Sequence, residues 1–143
     1  MRRTPEEQAQ ARVLEHPYGD CVADLLREES LVTRPMFGAL ACYVHGRLAV
    51  VLAAGSPPWD GMLVPTMREH HAALRADFPE LRVHPILGKW LYLPASVDGF
   101  EREARRLASL ARADDPRVGV EPKPRRGPAG TRRRARRPAG RRR

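Results

Sequence analysis

Apolar and polar positions recur with different periods along this chain, and the changes of period mark its elements. Thr4 followed by Pro5-Glu6-Glu7 reads as a helix start, with Thr4 as cap, Pro5 at the first helical position and Glu7 closing a capping box. This helix should run to about Glu15, where His16-Pro17-Tyr18-Gly19 breaks it. Asp20 then caps a second helix, in which Cys21, Val22, Leu25 and Leu26 recur at helical spacing while Asp24, Arg27, Glu28 and Glu29 take the other face. Over residues 32–54 the period becomes strand-like, through Met36-Phe37, then 40–44, then 48–52, with His45-Gly46 as a tight turn between the last two. Leu48-Ala49-Val50-Val51-Leu52 is apolar without alternation, which predicts a central strand covered on both faces.

A loop over residues 54–61 and a short strand, Met62-Leu63-Val64, come next. Thr66-Met67-Arg68-Glu69 has the form of a second capping box, opening a helix with Met67, His71, Leu74 and Phe78 on its apolar stripe and Pro79 at its end. Leu81-Arg82-Val83-His84 and Lys89-Trp90-Leu91-Tyr92-Leu93, joined by Pro85-Ile86-Leu87-Gly88, predict a second hairpin. Ser96 is placed to cap a last helix, whose stripe is Val97, Phe100, Ala104, Leu107, Leu110 and Ala111 and which stops at Asp114-Asp115-Pro116. The order is α-βββ-α-ββ-α with a weak extra helix in front, which predicts an α+β fold of two layers, an antiparallel sheet of about five strands covered by helices.

Length and charge add a division of the chain. At 143 residues it has room for one core and an appendage. We expect a helix or arm over 1–17, the α+β domain over 18–121, and a disordered arginine-rich tail over 122–143, where proline and glycine interrupt the arginines and nothing apolar recurs. Residues 123–143 hold eleven basic and no acidic side chains, whereas residues 1–122 hold fifteen basic and seventeen acidic, a net charge of −2. Long-range attraction for a phosphate backbone therefore comes almost wholly from the tail. Cys21 and Cys42 lack zinc or redox spacing and read as reduced, buried thiols. The N-terminus has no apolar h-region, and the longest apolar run, residues 48–54, falls far below the roughly 20 residues a bilayer requires. A soluble cytoplasmic protein without a membrane partner is expected.

Most chemistries lack their parts. His70 and His71 point about 100° apart on a helix, and His45, His84 and Cys42 add no ligand spacing, so neither metal nor cofactor is expected. Ser56 and Cys42 lack a nucleophile motif, Glu28-Glu29 and Asp114-Asp115 sit at helix ends, and the glycines form no phosphate loop. A catalytic centre is not expected. Trp59, His84, Lys89, Trp90 and Tyr92 are the candidates for a groove that stacks bases or grips a peptide. In the tail, Arg132, Arg133, Arg134, Arg136, Arg137, Arg141, Arg142 and Arg143 present guanidinium forks suited to phosphate, a sequence-blind grip on DNA or RNA. The alternative is a protein-interaction or small-ligand module beside a passive tail, an arginine run that coding bias alone could write.

Arg34-Pro35-Met36-Phe37-Gly38, followed by Tyr43, Gly46-Arg47 and an apolar strand, resembles the N-terminal domain of the TfoX/Sxy competence-regulator family. Ala76-Asp77-Phe78-Pro79-Glu80-Leu81, followed by Gly88-Lys89-Trp90, is similar to the MmcQ/YjbR family, which shares that fold. The resemblance spans residues 19–112 and implies an α+β domain with a non-enzymatic, DNA-binding or regulatory role. It offers no catalytic residues to carry over. The loop Pro57-Pro58-Trp59-Asp60-Gly61 and the arginine tail depart from both patterns.

Overall fold

Thr4 accepts a hydrogen bond from the Glu7 amide and Glu7 returns one to the Thr4 amide, so the capping box forms and opens helix α1 (Pro5–Glu15). This is a computed structural model in which residues 3–122 are described. Ala9 and Val13 of α1 are buried in the same core as the sheet.

The second helix is not an α-helix. Gly19–Arg27 forms a 3-10 segment with a break at Val22, and Asp20 makes no cap. The break lets two short 3-10 turns bury Gly19, Cys21, Val22 and Leu25. Gly19 also lies so close to the Val13 carbonyl that a Cβ there would overlap it, fixing this segment against α1.

Strands β1 (Val32–Met36), β2 (Ala39–Val44), β3 (Arg47–Ala54), β4 (Asp60–Val64), β5 (Arg82–Val83) and β6 (Leu91–Pro94) form one antiparallel sheet in the order β1-β2-β3-β4-β6-β5. The fold is thus α+β as expected, with six strands in place of about five, because Asp60–Val64 pairs on both sides as a full member. β3 is interior to the sheet, and its residues 48–53 are all buried. His45-Gly46 turns β2 into β3 with φ of 57° and 75°, the left-handed pair that matches strand twist. Phe37, expected in a strand, is a turn residue instead: Phe37-Gly38 has φ of 55° and 73° and joins β1 to β2 in the same way. Cys42 faces Val50 and Tyr43 faces Leu48, so Ala49 is an extra, bulged residue.

Two other helix starts differ from expectation. Thr66 caps nothing; its buried hydroxyl donates to the Arg117 carbonyl at 2.6 Å, and a 3-10 turn, Arg68–His70, precedes α2 (His71–Asp77). Met67 is correspondingly exposed, while Leu74 and Phe78 are buried. Helix α3 (Phe100–Arg112) starts four residues after Ser96, from Gly99 at φ 76°, because turns at Pro94–Val97 and Val97–Phe100 carry the chain around first. α1, the 3-10 segment, α2 and α3 all bury their apolar residues against one sheet face, with Leu25, Leu52, Met62, Phe78, Leu93 and Leu107 at its centre.

The described chain ends by closing the sheet. β4 pairs with residues 51–54 of β3 and leaves Leu48 open on that side. Val120 takes the place, exchanging both amide bonds with Leu48 at 2.9 and 3.0 Å. Gly119 donates to the Pro65 carbonyl, Arg47 donates to the Gly119 carbonyl, and Val118 enters the core.

Candidate functional site

Alternation along the strands sends Ala41, Leu48, Val51, Leu63 and Tyr92 to the sheet face that no helix covers. Irregular segments rise around this face: the Phe37-Gly38 turn, the Leu87–Trp90 stretch and the terminal run Val120-Glu121-Pro122. Between them lies an open groove of about 1010 Å³, whose lining includes Val32, Arg34, Phe37, Tyr43, Lys89 and Trp90. Three of the exposed large apolar side chains, Val32, Phe37 and Met67, line this groove.

The aromatic rings form a continuous chain. Phe37 lies 6.5 Å from Trp90 and 5.6 Å from Trp59; Trp59 lies 4.7 Å from His84, which lies 5.5 Å from Tyr92. Of the five residues anticipated for a groove, Trp90 and Lys89 line it. Trp59 is half-buried behind Phe37 rather than displayed by its loop. Tyr92 is buried in the apolar cluster behind the groove and donates its hydroxyl to Asp60; burial first, and the neighbouring carboxylate second, push its ionisation well above the usual phenol range. His84 is no groove residue: it is fully buried, its Nδ1 accepts from the Ile86 and Leu87 amides at 3.1 and 3.0 Å, and its Nε2 donates to the Pro58 carbonyl at 3.1 Å. It ties the Trp59 loop to the Leu87–Trp90 wall.

Sequence reasoning missed Arg34, Phe37 and Tyr43 as site residues. The signal was there in the two-residue period, which puts Val32, Arg34 and Met36 on the same face as Tyr43. The Arg34 guanidinium stands 5.7 Å from the Tyr43 ring centre. Arg68 reaches to Gly88, beside Lys89. Among the described residues none of Arg34, Arg68 and Lys89 takes part in an ion pair, whereas Glu121, the carboxylate in the lining, lies 3.9 Å from Arg47. The groove therefore carries a positive balance.

The remaining candidates are scattered. His71 donates to the Lys89 carbonyl and His45 to the Arg112 carbonyl, while His70 stands by Glu69. Among the described residues no three histidine, cysteine or carboxylate side chains are placed to hold one metal ion. Burial pushes the Cys42 thiol up to about 12, so in the folded protein it stays protonated. A smaller hollow of about 340 Å³ beside α3 has Arg105, Arg106 and Arg117 on its wall, but Arg106 is paired with Glu103 and Arg117 with Asp77 and Asp115. Among the described residues no helix is long and apolar enough to cross a membrane. The tail arginines Arg132, Arg133, Arg134, Arg136, Arg137, Arg141, Arg142 and Arg143 lie outside the described residues. In comparisons with known proteins, no family model matches this chain, nor does a curated protein or a solved structure.

Proposed function

We propose that this chain is a non-enzymatic, nucleic-acid-binding protein of the TfoX/YjbR-like type, acting in the cytoplasm, whose arginine-rich tail supplies sequence-independent affinity for DNA or RNA. One observation carries the reading. Glu121 and Pro122 lie in the groove lining, and the next twenty-one residues contain eleven basic side chains and no acidic one. A polyanion drawn in by the tail is thereby delivered to the cationic, aromatic face of the sheet. The test compares the full chain with one ending at Pro122 for retention on random duplex and single-stranded oligonucleotides at low salt. We expect the shortened chain to lose nearly all duplex retention. Equal duplex retention by both chains would remove the tail from the function.

A second reading, a protein or small-ligand site beside a passive tail, draws on the apolar part of the lining, Val32, Met36, Leu87 and Val120. Under that reading neither chain is retained on nucleic acid at low salt.

A further inference from the structure

The geometry points to a narrower ligand: we propose that the groove takes unpaired nucleotides of a single strand, with bases stacked on Phe37 and Trp90 and phosphates facing Arg34, Arg68 and Lys89. This rests on the nucleic-acid reading above and names what the body, as distinct from the tail, would recognise.

Phe37 is the first reason. It occupies the leading position of a left-handed two-residue turn at φ 55°, where asparagine or glycine is at ease and a bulky ring is strained, and it is 57% exposed. Its ring lies 5.6 and 6.5 Å from Trp59 and Trp90, yet it stays largely exposed and lines the groove. A strained, exposed aromatic set among other rings is a stacking platform awaiting a flat partner. Charge is the second reason. Arg34 and Lys89 line the groove and Arg68 reaches Gly88 beside Lys89, none of them in an ion pair among the described residues, whereas the lining carboxylate, Glu121, lies 3.9 Å from Arg47. That balance suits a strand of alternating flat apolar faces and phosphates better than an acidic-poor apolar peptide. Access is the third. Within a duplex the base faces are covered by their neighbours, so rings on a concave sheet face reach them only where the strand is unpaired. The cations would meet phosphate and the rings would meet base faces, with no side chain assigned to the 2′-hydroxyl, so ribose and deoxyribose strands should bind alike.

The experiment measures anisotropy of a short labelled single strand, in ribo and deoxyribo form, and of its duplex, on the full chain and on the variants Phe37→Asn and Trp90→Leu. Asparagine keeps the left-handed turn, so Phe37→Asn removes the ring without removing the fold, and a thermal melt of each variant verifies this. The expected result is tighter binding of the single strand than of the duplex. Phe37→Asn should weaken the single strand about tenfold, the size of one base–aromatic stack, and leave the duplex unchanged. If the full chain binds single strand and duplex alike and folded Phe37→Asn alters neither, the groove assignment fails while the nucleic-acid reading stands. If the full chain holds neither, both fail.

Discussion

The two nitrogens of His84 decide its protonation. Because Nδ1 accepts from two amides, the proton of the neutral ring sits on Nε2, where it is donated to Pro58. Burial lowers the affinity of the ring for a second proton, and the Pro58 bond opposes this only in part. A histidine whose folded pKa lies below its unfolded one contributes stability that is complete above the unfolded value, about 6.5, and is lost as pH falls through that value toward the folded one. His16 shifts in the same direction through burial, so the share of His84 has to be isolated by substitution. In His84→Leu the Ile86 and Leu87 amides and the Pro58 carbonyl lose their partner, at a cost of about 3 kcal/mol near neutral pH. Denaturant melts from neutrality to about pH 5 should show the parent chain losing more stability than His84→Leu over that interval. Parallel pH profiles would refute the assignment. Nothing in the sequence distinguishes this histidine from a groove residue, since its fate depends on a carbonyl twenty-six positions away. Phe37 was hidden for the opposite reason: its turn conformation contradicts its side chain, so the local pattern reads as strand.

Elements built from local repeats were the more legible ones. The capping box of α1, the His45-Gly46 turn, the uninterrupted apolar strand β3 and the hairpin of β5 with β6 all follow from neighbours within a few residues. Starts that depend on a distant partner were not: Thr66 has the sequence of a cap but gives its hydroxyl to Arg117, fifty-one residues on. The terminal run 117–120 had no periodic signal at all, yet it fills the open side of β3 and buries Val118. This run should therefore behave as part of the domain. A chain ending at Asp115 loses the burial of Val118, the Thr66–Arg117 bond, the Leu48–Val120 pair and the Arg47–Gly119 contact, together worth on the order of 4 kcal/mol. A chain ending at Pro122 keeps them all and should unfold within about 0.5 kcal/mol of the full length, a surface-type change. Urea titration of the three chains checks both statements, and equal stability of the Asp115 and Pro122 chains would remove the terminal run from the domain.

For the whole molecule, affinity divides into a long-range and a short-range part with different salt signatures. Residues 1–122 carry a net charge of −2, so a phosphate backbone is drawn in by residues 123–143, not by the body. If about eight tail side chains meet duplex phosphates, the slope of log affinity against log salt is about −7. The groove offers two lining cations, Arg34 and Lys89, with Arg68 beside them at Gly88, all free of ion pairs among the described residues, and three contacts to a single strand give a slope of about −2. Stacking is nearly indifferent to salt, because it moves no counterions. Removing the tail should then do two things at once: flatten the salt dependence of single-strand binding from about −8, for eight tail and three groove contacts, toward −2, and raise the ratio of single-strand to duplex affinity, since the lost term favoured both and the surviving one favours only the unpaired strand. Titrations of both chains at several salt concentrations test this, and a shortened chain whose single-strand slope stays near −8 would place the cationic grip on the sheet face instead.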